Sequence, residues 1–348
     1  MIYRKIGRTN IDASVIAFGT FPLGGWMWGG AEKKEAIDAL HCALENGINL
    51  FDTAPLYGYG IAEELVGEAF ANCRDKVVIA TKCGLRWGVD HWKPGQGEFH
   101  FFFDEKGLTS KEGSGRCQRY LRADSVIWEA EQSLKRLKTD YIDIYFTHAP
   151  DATTPIEETV DALMKLKKQG KILSIGCSNV SFSQMQKYID LCELDVDQEK
   201  FNLVDQTVEE NGLLELCQKN DVSFFSYTSL ENGLLSGNMT PDRVFENGDF
   251  RKTSPRFQPD NIRRVNEMLD QFRPIADKYH ISLVQLIISW TFSRYAKGHV
   301  LCGMRNCKSV ENNVPAGNIE LTSEEMNFMA EIARKTPLAK DNIPFDLD

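Results

Sequence analysis

Short apolar runs rich in β-branched and aromatic residues alternate with helix-period segments along the whole of this 348-residue chain. Eight such runs stand at residues 15–21, 48–53, 77–83, 142–148, 172–177, 196–201, 222–227 and 300–304. Most are apolar at odd and even positions alike, the pattern of parallel strands buried on both faces. Between them, Ile37, Leu40, Ala43 and Leu44 share one helical face, as do Ile127, Ala130, Leu134 and Leu137. Thr154-Pro155-Ile156-Glu157 has the spacing of a capping box, and Lys167-Lys168-Gln169-Gly170 gives the same helix a basic end and a glycine stop. Repeated strand-helix alternation predicts an α/β fold, a (β/α)8 TIM barrel. A doubly wound sheet is the competing architecture, but no Gly-x-Gly-x-x-Gly follows any strand.

Residues 1–12 read as a β-hairpin, with Arg8-Thr9-Asn10 at its turn, closing the barrel's N-terminal mouth. Two stretches, 85–123 and 236–259, are too long and irregular for ordinary connections and are expected as long loops on the C-terminal face. The first carries Trp87, Trp92 and Phe99-His100-Phe101-Phe102-Phe103, and is expected either to fold over the rim or to close over a substrate. Residues 1–348 are expected to form one barrel domain with 85–123 as its insertion. A formal charge of −10 argues against nucleic-acid binding. The most apolar stretch, 283–292, is too short to span a bilayer, and no apolar leader follows Met1-Ile2-Tyr3-Arg4-Lys5. A cytoplasmic protein, monomer or homo-oligomer, with no membrane or nucleic-acid partner is expected. Of nine cysteines, Cys83, Cys177 and Cys302 lie inside apolar runs and are expected as buried free thiols in a reducing compartment.

Barrel active sites lie at the C-terminal ends of the strands. Those ends carry Gly19-Thr20, Asp52, Lys82, His148, Ser178-Asn179, Gln198, Tyr227 and Gly303-Met304-Arg305. Each alone has an ordinary explanation: Asp52 in turn chemistry before Pro55, Tyr57 packing on the rim, Lys82 reaching water, His148 as a satisfied core residue. Together the strings Phe51-Asp52-Thr53-Ala54-Pro55-Leu56-Tyr57-Gly58, Ala80-Thr81-Lys82-Cys83-Gly84 and Tyr145-Phe146-Thr147-His148-Ala149-Pro150 resemble the aldo-keto reductase superfamily. Ile175-Gly176-Cys177-Ser178-Asn179, Gly233-Leu234-Leu235-Ser236-Gly237 and Gly303-Met304-Arg305 with Asn313 extend the resemblance from about Arg4 to Glu331. Within that superfamily the chain is most similar to the bacterial inositol dehydrogenase-like and methylglyoxal reductase-like branch.

The resemblance implies a catalytic tetrad of Asp52, Tyr57, Lys82 and His148. Reducing a carbonyl needs a hydride on carbon, which no side chain supplies and a nicotinamide cofactor does. It also needs a proton on oxygen, from Tyr57, whose phenol the adjacent Lys82 ammonium is expected to make more acidic. Asp52 would hold Lys82, and His148 would orient the carbonyl. By the same resemblance Ser178, Asn179 and Gln198 hold the carboxamide of the nicotinamide, and Tyr227 stacks on its ring. Gly19 and Thr20 flank the cofactor, Thr228, Leu230 and Gly233 meet its pyrophosphate, and Gly303, Arg305, Ser309 and Asn313 hold the adenosine end. The Arg305 guanidinium suits a 2′-phosphate, with Lys308 near in sequence, so NADP(H) is favoured and NAD(H) stays possible. Trp26, Trp28 and Trp87 are expected to line the substrate pocket, for a small carbonyl or polyol. The remaining histidines lack metal-ligand spacing, so no metal site is expected. The alternative from another class is a nicotinamide-binding sensor or structural subunit, like the channel-associated members of the superfamily.

Overall fold

The computed structural model describes residues 1–25, 31–88, 97–103, 109–110, 115–245 and 249–340. An antiparallel hairpin comes first, β1 (Tyr3–Lys5) and β2 (Asp12–Ser14), with Tyr3 opposite Ser14 and Lys5 opposite Asp12. Ile6 and Ala13 are fully buried against Ala17, Leu50, Val78, Ile144, Val196 and Phe225 inside the barrel, so the hairpin plugs one mouth as the sequence predicts. Three parallel strands follow: β3 (Ile16–Gly19), β4 (Leu50–Asp52) and β5 (Val78–Cys83). The insertion then contributes β6 (Leu85–Gly88), β7 (Glu98–Phe103), β8 (Thr109–Ser110) and β9 (Gly115–Arg119). The barrel resumes with β10 (Ile142–Thr147), β11 (Ile172–Ser178), β12 (Val196–Lys200), β13 (Ser223–Tyr227) and β14 (Gly298–Gly303). β5 pairs with β10 and β14 with β3, which closes the eight parallel strands into a ring. Every run read as a strand is a barrel strand, with its ends slightly shifted.

Alternation along the strands sorts the side chains. Leu50, Val78, Ala80, Ile144, Phe146 and Val196 fill the interior, while Phe18, Phe51, Ile79, Tyr145 and Ile175 face the surrounding helices. One step further along the inward parity, apolar residues give way to Asp52, Lys82 and Gln198. The same period that fills the core therefore delivers these groups to the open mouth. Gly176 is part of that packing: a Cβ there would lie 2.3 Å from the Phe146 ring, so only glycine lets this ring cross the interior.

Two expectations are corrected. The 85–123 stretch is no irregular loop: its strands form an antiparallel sheet in the order β6-β9-β7-β8, as its aromatic run favours. The capping box at Thr154 does not form, because the Thr154 hydroxyl donates to Asp151 at 2.6 Å and Pro155 takes the boundary of helix Ile156–Lys168. The glycine stop does form, with Gly170 at φ +71°. Cys83, Cys177 and Cys302 are buried free thiols as expected, but Cys42 and Cys307 are joined in a disulfide across 265 residues, a pairing no local spacing signals. Among the described residues the one grouping of metal-ligand type is Cys42, Cys307 and Glu311, and its two sulfurs are committed to each other. The described residues of 236–259 include the short turns Phe250–Lys252 and Pro255–Phe257, with Arg251 paired to Asp249 and donating to the Asn232 carbonyl at 3.2 Å. No helix among the described residues is long and apolar enough to cross a membrane.

Candidate active site

Lys82 sits on β5 with its side chain entirely buried, and Asp52 ends the neighbouring strand β4 in the same condition. The Lys82 ammonium donates to both Asp52 carboxylate oxygens (2.6 Å to Oδ2), to the Thr53 carbonyl at 3.0 Å and to the Tyr57 hydroxyl at 3.2 Å. Burial pushes the Asp52 carboxyl up and the Lys82 ammonium down, and each is opposed by the charge of the other. Gln198 Nε2 adds a weaker hydrogen bond to Asp52 at 3.4 Å.

Tyr57 comes from the turn after β4. Gly58 beside it has φ +64°, and a Cβ there would fall 2.1 Å from the Gly24 carbonyl oxygen. Backbone rests on backbone, which fixes the turn that carries the phenol. The Tyr57 ring meets Phe21 edge-on at 5.1 Å and His148 at 5.9 Å. Burial, and secondarily the Asp52 charge, hold the Tyr57 hydroxyl well above its ordinary pKa. The sequence reading has Lys82 lowering it; in the folded chain Asp52 compensates the Lys82 charge, so the phenol rests protonated.

His148 follows β10 directly. Its N–H donates to the Cys83 carbonyl at 2.8 Å and its carbonyl accepts from Asn179 Nδ2 at 2.8 Å. Burial, then the positive charge of Lys82, keep its imidazole well below the usual pKa and therefore neutral. A polar chain leads away from it: Tyr227 donates to Asn179 Oδ1 at 2.6 Å, Asn179 to Ser178 Oγ at 3.0 Å, and Ser178 to the Gln198 carbonyl at 2.6 Å.

These groups border one cavity of about 750 Å³, which Asp52, Tyr57 and His148 line directly, with Lys82 beneath. Gly19, Ser178, Asn179, Gln198 and Tyr227 line it, as do Thr228, Leu230 and Gly233, and farther along Gly303, Arg305, Ser309 and Asn313. Thr20 alone of the expected cofactor positions does not. It is buried behind the wall, its N–H donating to the Asp52 carbonyl at 3.0 Å. Lys308 is exposed and also outside the lining.

The cavity suits an elongated, phosphate-bearing cofactor. Thr228, Glu231, Asn232 and Gly233 all have positive φ (57°, 46°, 53° and 92°), a costly run for non-glycine residues of the kind found at ligand clamps. A Cβ on Gly233 would meet nothing closer than 3.8 Å, so backbone here faces open space. Amide and hydroxyl groups of Ser178, Asn179 and Gln198 stand at the end nearest Tyr57, and Arg305 stands among the lining residues after β14.

The substrate side differs from expectation. Trp26 and Trp28 lie outside the described residues. Trp87 does not line the cavity: Leu85, two positions earlier on the same face of β6, takes the wall, and the strand carries Trp87 outward onto Tyr59 at 5.3 Å. Phe21, Leu56, Leu85, His100, Phe101 and Phe250 line it instead. From the run Phe99-His100-Phe101-Phe102-Phe103, expected either over the rim or over a substrate, His100 and Phe101 line the cavity; the sequence assigned His100 no role of its own beyond the lack of metal-ligand spacing.

The aldo/keto reductase family profile matches residues 15–334. The chain is 36% identical over 335 residues to the NADH-specific methylglyoxal reductase of Escherichia coli, covering 94% of this chain and 97% of that one. It is 34% identical to the aldo-keto reductase YhdN of Bacillus subtilis, covering 97% and 95%. A glycerol dehydrogenase structure from Gluconobacter oxydans superposes with a TM-score of 0.84 at 32% identity, covering 98% of each chain. The chain belongs to the aldo/keto reductase family, an oxidoreductase that couples carbonyl reduction to a nicotinamide cofactor.

Proposed function

We propose that the chain reduces small aldehydes, dicarbonyls or sugar-like carbonyl compounds with NADP(H), and that Tyr57 donates the proton. The observation that carries this reading is the buried Asp52–Lys82 pair whose ammonium reaches the Tyr57 hydroxyl at the cavity floor.

A bound nicotinamide supplies the hydride. The chain's own residues manage the proton and the geometry. Burial keeps the Tyr57 hydroxyl protonated until a carbonyl oxygen gains negative charge beside it. As the proton leaves, the Lys82 hydrogen bond stabilises the phenolate where it forms, and Asp52 keeps the ammonium from moving. Neutral His148, edge-on to Tyr57, offers a ring N–H to the same carbonyl oxygen and so fixes its direction. Ser178, Asn179 and Gln198 would hold the nicotinamide amide, Tyr227 its ring, and the 228–233 backbone its pyrophosphate. The same groups serve alcohol oxidation in reverse, with Tyr57 as phenolate accepting the proton.

Arg305 supports NADP(H), since its guanidinium can pair with a 2′-phosphate. The name of the Escherichia coli relative points to NADH for that protein, which makes cofactor choice the sharpest test. Michaelis constants for NADPH and NADH are to be measured with methylglyoxal. The reading expects tighter NADPH use, and expects Arg305→Ala to raise the NADPH constant about tenfold while NADH changes little. Equal or tighter NADH use by the wild type overturns the NADP(H) preference, and no oxidation of either cofactor with any carbonyl overturns the whole reading.

A further inference from the structure

β7 and β9 pair with Phe99 opposite Gln118 and Phe101 opposite Cys117. One residue on β9 is thus passed by two on β7, and His100 is the extra one. A bulge of this kind bends its strand and re-aims side chains, so that neighbours normally on opposite faces of a sheet turn to one side. Here His100 and Phe101 both line the cavity that holds Tyr57 and His148, with their rings 4.9 Å apart.

On one side of His100 the cavity wall is apolar. Phe21, Leu56, Leu85 and Phe101 form the adjoining wall and belong to one hydrophobic cluster. The His100 ring is half-buried and borders the interior of the cavity. Burial and the Arg119 charge lower its pKa to about 4, so the ring is neutral at ordinary pH, with one N–H donor and one acceptor nitrogen. A hydrogen-bond-capable ring set among apolar residues of a cavity wall can select a polar substituent on what binds there.

We propose that His100 is a specificity-determining residue: it hydrogen-bonds a second oxygen on the substrate, next to the carbonyl held by Tyr57 and His148. The class selected is therefore small carbonyl compounds with a neighbouring oxo or hydroxyl group, such as α-dicarbonyls and hydroxyaldehydes, over plain alkyl aldehydes. This rests on the reductase reading above and adds the group that chooses among its substrates. An acceptor and a donor on one ring explain why either an oxo or a hydroxyl group would satisfy it.

The test compares methylglyoxal and glyceraldehyde with propanal, using wild type, His100→Phe and His100→Gln. His100→Phe keeps a ring in the wall and removes both hydrogen-bonding atoms, whereas His100→Gln keeps a donor and an acceptor. For His100→Phe, kcat/KM should fall about tenfold for methylglyoxal and glyceraldehyde, mainly through KM, and stay within about twofold for propanal. His100→Gln should recover most of that loss, and NADPH binding followed by protein fluorescence should be unchanged in both variants. An equal fall for all three substrates, or no change in their ratio, overturns the role of His100 while leaving the reductase reading in place. Wild-type protein that turns over none of the three overturns the reductase reading and takes this assignment with it.

Discussion

The Lys82 ammonium lies 3.2 Å from the Tyr57 hydroxyl, although the two residues are 25 positions apart and come from a strand and a turn. What brings them together is parity. Lys82 continues the inward row begun by Val78 and Ala80, and Tyr57 leans over that row from the turn after β4. A lysine buried at this step is held by the carboxylate it reaches directly, Asp52 on the next strand.

Removing one member of that pair leaves the other charged and buried. Lys82→Met should therefore destabilise the protein by about 3–5 kcal/mol and lower kcat at least about a hundredfold. In the double variant Lys82→Met with Asp52→Asn, stability measured by urea unfolding should largely return, while turnover should not. Recovery of turnover in the double variant would show that the pair matters only for folding.

Gly58→Ala tests whether the turn under Tyr57 positions it. With a carbonyl oxygen 2.1 Å from the new Cβ and φ at +64°, the backbone must move. A displacement of about 1 Å should cost about a hundredfold in kcat, with NADPH affinity little affected. Gly170→Ala is the control: it also has positive φ (+71°) but nothing within 4 Å, so it should cost roughly 1 kcal/mol of stability and no activity.

Glu129 makes folding stability depend on pH. It is buried beneath the start of the inserted sheet, accepts from the Gly84 N–H at 3.1 Å and from Ser125 at 2.9 Å, and burial raises its pKa to about 7. A raised carboxyl pKa means that the folded state holds the proton more tightly than the unfolded one. The contribution is thus full below the ordinary carboxyl pKa and is lost as pH rises to about 7. Between pH 5 and pH 8 the stability of wild type relative to Glu129→Gln should fall by roughly 2–3 kcal/mol, read by urea unfolding at the two pH values. A difference that does not change with pH would contradict this.

Strand-helix alternation made the barrel legible, because doubly buried strands leave a pattern that survives without any knowledge of contacts. The polar residues at the ends of those strands were legible for the same reason: Asp52, Lys82, His148, Asn179 and Arg305 stand where apolar runs stop. Thr20 and Trp87 were misplaced because sequence position gives the strand end but not the direction of the next side chain. The inserted sheet was hidden since its pairing joins strands across glycine-rich connections, and the bulge that aims His100 inward is a matter of register between two strands. Cys42 and Cys307 meet because helix Lys33–Glu45, after the first barrel strand, and helix Cys307–Asn313, after the last, are neighbours around a closed ring, which spacing along the chain cannot express. The compensation of Lys82 by Asp52, which leaves Tyr57 protonated, depends on burial and could be weighed only from the folded chain.

Replacing Tyr57 by Phe keeps the ring that packs on Phe21 and His148 and removes only the proton the reaction needs. Turnover of methylglyoxal and the NADPH dissociation constant, measured on the same Tyr57→Phe protein, put the proton-donor role to the most direct test. The expected result is an unchanged dissociation constant with kcat reduced at least about a hundredfold at pH 7. Turnover at the wild-type rate with intact NADPH binding would contradict it.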